Sequence, residues 1–202
     1  IKATEAILTE GGFSAESRIE AQKLLPSLRM RKRIAGISRE AGTDMDRLVA
    51  LAEKLYREKP TDHDVIAFRI ESLDRARRYE DAVSFLEGMK KKAPRGKVWP
   101  YQITLAFAYF GARRHEDAIT AFRELQKTPG IDAATRAEAE NMILEIRVGR
   151  EIELGMAAMK RGDMAKADAV LRTLERDYKL HPDTLGYRAI LLAKRGKFQE
   201  AH

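Results

Sequence analysis

The sequence predicts an all-α fold, an α-solenoid of antiparallel helix pairs. Three observations carry that expectation. Apolar residues recur at helical spacing between capping residues and breakers, strand-forming alternation is missing, and one short layout returns along the chain. Hydrophobic residues make up 44% and charged residues 34%, a balance that fits a helix-rich chain and argues against disorder. Aromatics are only 7%, and Val, Ile and Thr seldom cluster in alternation, so strands lack their usual material.

Taken in order, residues 1–13 hold a helical fragment ending at Gly11-Gly12. Ser14 starts a helix to Leu25 that Pro26 closes, because proline cannot donate the next helical hydrogen bond. Ser27 to about Glu40 ends at Gly42, and Asp44 to Glu58 stops before Pro60. Thr61 or Asp62 caps a helix to about Arg77, and the next runs from Glu80 to Lys92. After a loop at Pro94 to Lys97, a helix from Pro100 to Ala112 pairs with Glu116 to Lys127. Asp132 opens a long helical pattern reaching Lys160, with a break or bend expected near Gly149. Asp163 to Tyr178 and Asp183 to Lys194 follow, and Phe198 begins another helix. No strand is expected. The longest apolar run, Ile103 to Gly111, is about half of what a membrane span needs.

Four segments share one layout, a basic turn followed by an alanine-led apolar helix. They read RARRYEDAVSFL, GARRHEDAITAF, MKRGDMAKADAVL and AKRGKFQEA. Their alanines are Ala82, Ala118, Ala167 and Ala201, spaced 36, 49 and 34 residues apart. Two intervals sit near the roughly 34-residue period of a helix-turn-helix repeat, and the long one carries an insertion of about 15. Upstream of the alanines come small-residue helix cores, clearest at Leu105-Ala106 with Tyr109, then Leu154-Gly155 and Ala189 with Leu192. Prolines close repeats, with Pro60 and Pro94 34 apart and Pro129 eleven residues after Ala118. Small residues at these places let two helices approach closely, and Leu86, Phe122 and Leu171 fill the space beside each crossing.

Over about residues 28–202 this pattern resembles the tetratricopeptide repeat (TPR) family, whose repeat runs Trp-x2-Leu-Gly-x2-Tyr, then Ala-x3-Phe, then Pro. No single copy is complete: Gln102, Glu151 and Leu185 stand at the Trp position, and Ile70 replaces a small residue. The resemblance implies a right-handed superhelix. It divides the chain into an N-terminal helical or capping segment, 1–26, and repeats at about 27–60, 61–95 and 98–130. An insertion helix at 131–147 follows, then repeats at 148–181 and 182–202, the last truncated.

Residues that could carry catalysis are sparse. The histidines are His63, His115, His181 and His202, and there is no cysteine. Disulfides and zinc–cysteine sites are therefore excluded, and no His-x3-His or acidic cluster supplies a zinc ligand set. His63, between Asp62 and Asp64, reads as a helix-start residue, and His115 fills a packing slot held by Tyr79, Met164 and Phe198 in other copies. No glycine-rich phosphate-binding motif is present. The expectation is a non-catalytic protein with no metal and no cofactor.

The formal charge is +7 with a pI near 9.6. Basic pairs recur at the end of each repeat's first helix: Arg77-Arg78, Arg113-Arg114, Lys160-Arg161 and Lys194-Arg195. They read either as cations complementing helix C-termini or as an anion-attracting edge. A second run, Arg29, Arg31, Lys32, Arg33 and Arg39, shares a helix with Met30, Ile34 and Ile37. It reads as the solvated side of a packed helix or as a surface for anionic lipid or nucleic acid.

In the family, the inner face of each first helix lines a concave groove that receives peptides. The layout carries that face onto Ala67, Glu71 and Asp74, then Ile103, Phe107 and Phe110, then Ile152, Met156 and Met159, and finally Gly186, Ile190 and Ala193. The lysines and asparagines with which chaperone-binding members clamp a terminal carboxylate are absent from these positions. The partner-binding residues expected are Ile103, Phe107, Phe110, Ile152, Met156, Met159 and Ile190, a trough suited to a protein or peptide segment. The other reading of these residues is packing against a neighbouring repeat. Large bacterial proteins that export polysaccharide or organise the cell envelope carry such arrays, and the ends at Ile1 and His202 read as cuts in a longer protein. The compartment stays open between bacterial periplasm, cell envelope and cytoplasm. The alternative function is binding of single-stranded RNA or another polyanion through the basic edge, although the paired polar residues of RNA-reading helical repeats do not recur.

Overall fold

A computed structural model describes residues 1–9, 12–93 and 100–196. The expectations at Gly11, at Pro94 with Arg95 and Lys97, and at Phe198, Ala201 and His202 lie outside the described residues. Among the described residues there are ten α-helices and no strand. They are α1 (Lys2–Thr9), α2 (Ala15–Ala41), α3 (Met45–Glu58), α4 (His63–Arg75), α5 (Tyr79–Lys92), α6 (Gln102–Gly111), α7 (His115–Lys127), α8 (Ala133–Lys160), α9 (Met164–Asp177) and α10 (Pro182–Lys194). No helix among them is long and apolar enough to cross a membrane.

Capping chemistry sets the helix starts. Ser14, Asp44, Asp62, Asp132 and Asp163 each accept a hydrogen bond from the backbone N–H three residues on, at 2.8–3.2 Å. The start of α10 differs from expectation: its cap is His181, whose Nδ1 accepts from the Asp183 N–H at 3.3 Å.

Two expected helix ends do not occur. The backbone of α2 runs through Pro26. Ser27, expected to open a new helix, instead donates its hydroxyl to Asp64 at 2.8 Å, and Ala21 before the proline and Ala41 after it are both buried. Likewise α8 continues unbroken past Gly149 for 28 residues. Burial of Ile143, Ile146, Val148 and Ala158 outweighs a helical glycine penalty of roughly 1 kcal/mol.

The recurring basic turns share one backbone geometry. Arg77, Arg113, Gly162 and Gly196 all have positive φ, between 54° and 77°, each five residues before the alanine of its layout. In the first three turns the next N–H bonds back to the carbonyl five residues earlier: Arg78 to Leu73, Arg114 to Tyr109, and Asp163 to Ala158. This closes the helix as a Schellman-type turn. Ala82, Ala118 and Ala167 are all buried.

The chain forms two compact units, residues 1–91 and 92–202. Within the first, α1 packs on α2, α2 on α3 and α4, and α3 on α4. Ala41, Leu48, Ala52, Leu55, Val65 and Phe68 form its core. The Arg69 guanidinium stacks on both Tyr56 and Phe85, 4.5 and 4.0 Å from the ring centroids, and pairs with Glu53. Within the second unit, helices pack mainly on their sequence neighbours, α6 on α7, α7 on α8, α8 on α9, and α10 on both α8 and α9. Two cores result. One joins Ala106, Ala118, Ile119, Phe122 and Leu125 to Ala139, Ile143 and Ile146 of α8. The other joins Val148 and Ala158 of α8 to Ala167, Val170, Leu174, Tyr187 and Leu191.

Candidate functional site

Four of the expected partner-binding side chains, on α6, α8 and α10, are left exposed by the packing. Phe107, Phe110, Met156 and Ile190 remain 37%, 39%, 42% and 43% exposed. Ile103 is half-buried against the α6–α7 core, and Ile152 and Met159 are half-buried against the α8–α10 core. Phe107 is steadied from below by an edge-to-face contact with buried Phe122, centroids 5.3 Å apart.

The long helix α8 divides these residues into two sets. Arg150 pairs with Glu116, and Arg113 lies 3.8 Å from Glu153, so the α6–α7 turn meets α8 at residues 150–153. Because α6 and α7 are antiparallel and α7 packs along the first half of α8, Phe107 lies before that level. Met156 lies beyond it by roughly 5–9 Å at 1.5 Å per residue. Ile103, Phe107 and Phe110 therefore form one patch on α6. Ile152, Met156, Met159 and Ile190 belong to α8 and α10, which meet where Tyr187 packs on Gly155.

In the first unit, the inner-face positions Ala67 and Glu71 are exposed, as is Asp74, so no apolar patch continues there. Phe13, Ile19, Leu24, Leu144 and Leu180 are exposed as well, outside the repeated layout. Within it Leu185 is exposed too, and so is Leu154, a residue expected in a helix core that faces away from the side on which Gly155 meets Tyr187.

Half of the basic edge, four residues of eight, is paired with acid. Arg78 bonds Asp81 and Arg114 bonds Asp117, both from i to i+3, at 2.6 and 2.7 Å. Arg114 also lies over the Tyr109 ring at 4.7 Å. Arg195 pairs with Asp168 and Arg113 with Glu153. Arg77, Lys160, Arg161 and Lys194 are exposed. The run on α2 is similarly engaged, Arg29 with Glu5, Arg31 with Asp64 and Arg33 with Glu58.

Tertiary folding assembles one cluster that linear spacing hides. Glu145, His181 and Asp183 bring their ligand atoms within 4.8 Å of one another. The His181 side chain is 8% exposed, but both of its nitrogens are occupied. Nδ1 accepts the Asp183 N–H, which fixes the proton on Nε2, and Nε2 donates to Glu145 at 3.1 Å. A metal on Nε2 would force the ring proton onto Nδ1, against the Asp183 N–H, so the arrangement reads as a helix cap tied to α8. His115 keeps Nδ1 buried without a hydrogen-bond partner and packs edge-on to Phe110, 6.3 Å between centroids.

No family model matches the chain, and no curated protein matches it either.

Proposed function

We propose that the protein is a non-catalytic, TPR-like α-solenoid scaffold that binds a segment of another protein through the apolar faces of its first helices. The observation that carries this reading is the exposure of Phe107, Met156 and Ile190, each six residues before the positive-φ residue of the turn that follows it, with exposed Phe110 beside Phe107 on α6. Polar side chains at these positions would cost the fold little, and large apolar groups left in water mark contact surfaces. Phenylalanine and methionine adapt to a helical or extended segment. A multi-component assembly, such as a bacterial envelope or polysaccharide-export complex, is the setting that suits such a scaffold. The basic edge supports polyanion binding less well, since Arg78, Arg113, Arg114 and Arg195 already face carboxylates.

Peptides selected against the protein from a random display library provide the test. Phe107→Ala and Met156→Ala should each weaken binding of selected peptides by roughly tenfold or more, about 1.5–3 kcal/mol per buried side chain, nearly independently of salt. Arg113→Ala and Arg114→Ala should mainly slow association, and their effect should fade at high ionic strength. If random single-stranded RNA binds instead, with a steep salt dependence that the arginine variants abolish and the apolar variants leave intact, the edge is the site and this reading fails.

A further inference from the structure

We propose that α8 hinges at Gly149, so that the α6 patch and the α8–α10 patch can swing relative to each other. The hinge rests on the geometry of α8 itself; its use in gripping a partner rests on the binding role proposed above. Within one turn of this residue the helix changes from one core to the other. Ile146 is the last α8 residue of the α6–α7 core, and Val148 is the first of the α9–α10 core. Glycine weakens a helix relative to alanine, and a close approach by another group usually explains its presence. At Gly149 no such approach exists, because an added Cβ would meet nothing within 4 Å. Six residues on, the same atom at Gly155 would run into Tyr187. Packing requires Gly155; what Gly149 contributes is a backbone free to bend. Gly36, Gly88 and Gly186 are equally uncrowded, so open space alone does not mark a hinge. Gly36 lies between Ile34 and Ile37 of one core, Gly186 beside Tyr187 and Leu191 of one core, and Gly88 four residues from the end of α5. Gly149, in contrast, lies where its helix passes from one core to another.

The links across the junction are of a kind that can let go. Arg150–Glu116 and Arg113–Glu153 are ion pairs between exposed side chains. Such pairs are weak and are screened by salt. At low ionic strength they hold α8 straight against the α6–α7 turn. When they are screened, bending concentrates at the one residue of the junction that has no side chain.

The chain contains no cysteine, so paired spin labels can be placed without background. Thr120→Cys on α7 and Ala169→Cys on α9 are both exposed positions on opposite sides of the junction. Their separation, read by double electron–electron resonance, should be a single narrow distribution at low salt. At about 1 M salt, where the screening length is about 3 Å, a second, bent population should appear. Adding Gly149→Ala should reduce that population about fivefold, the factor expected from the helix propensity difference. Glu116→Gln with Glu153→Gln should bring it out at low salt. A thermal melt of the Gly149→Ala protein at or above the parent's Tm verifies that it is folded. A distribution that stays narrow in the parent at high salt overturns the hinge, as does a bent population that Gly149→Ala leaves unchanged. Loss of peptide binding with these distances intact would count against the binding role alone.

Discussion

Gly155 and Tyr187 show how one residue constrains another 32 positions away. A Cβ on Gly155 would run into the hydroxyl oxygen and Cζ of Tyr187, and the ring is fully enclosed. Gly155→Ala should therefore cost about 1–3 kcal/mol by overpacking, seen as a lower urea midpoint with an unchanged slope. The Tyr187 hydroxyl donates to the Ala167 carbonyl at 3.0 Å. Burial, and then the Asp168 carboxylate, holds it above the ordinary tyrosine range. A group whose folded pKa is raised contributes stability below the unfolded value near 10.0, and that contribution is lost as pH rises through the folded value. Tyr187→Phe should cost about 1 kcal/mol at neutral pH and should reduce the loss of stability above pH 10. If urea midpoints of the two proteins fall in parallel through the alkaline range, the hydroxyl is not the titrating group.

At the scale of the element, the turn between paired helices is the most regular feature of the chain. Its left-handed residue is arginine in two copies and glycine in two, Arg77 and Arg113 against Gly162 and Gly196. A side chain in that conformation costs about 1–2 kcal/mol per residue. Gly162→Ala should consequently destabilise the protein by about 1 kcal/mol. Arg113→Gly should be neutral or slightly stabilising, because relief of strain is offset by the greater freedom of glycine in the unfolded chain. Paired chemical denaturation checks the asymmetry; equal losses in both variants would mean that the turns are not equivalent. Pro26 marks where local reading of an element fails. Proline inside a helix costs about 3 kcal/mol, enough to predict an end, yet α2 is held on both sides of it by packing that local pattern does not reveal.

For the whole molecule, the second unit consists of two cores strung on α8, with helices packing mainly on their neighbours. In a solenoid, stability is a sum of local terms and nearest-neighbour interfaces. Ala118 is completely buried at the α6–α7 crossing. Ala118→Leu should overpack it at a cost of about 1–3 kcal/mol. The consequence should also be localised. Amide hydrogen exchange should accelerate in α6, α7 and the first half of α8, and change less in α9 and α10. Uniform acceleration through the unit would indicate a single cooperative bundle and would remove the basis for a solenoid.

What the sequence by itself determined is the part governed by short-range chemistry. Caps at Ser14, Asp44, Asp132 and Asp163, the all-helical class, and the phase of Ala82, Ala118 and Ala167 were all readable from spacing, while the structure decided for Asp62 over Thr61 as the cap of α4. A capping oxygen or a buried alanine acts within a turn or two of itself. Only tertiary structure decided where helices stop when packing overrides a breaker, as at Pro26 and Gly149. It alone also decided that His181 meets Glu145 and that Tyr187 fills the space above Gly155. For the candidate site, sequence phase identified which residues share a helix face. Their division between two patches depended on α8 remaining one helix, because burial summed along 28 residues outweighs the local preference of a single glycine.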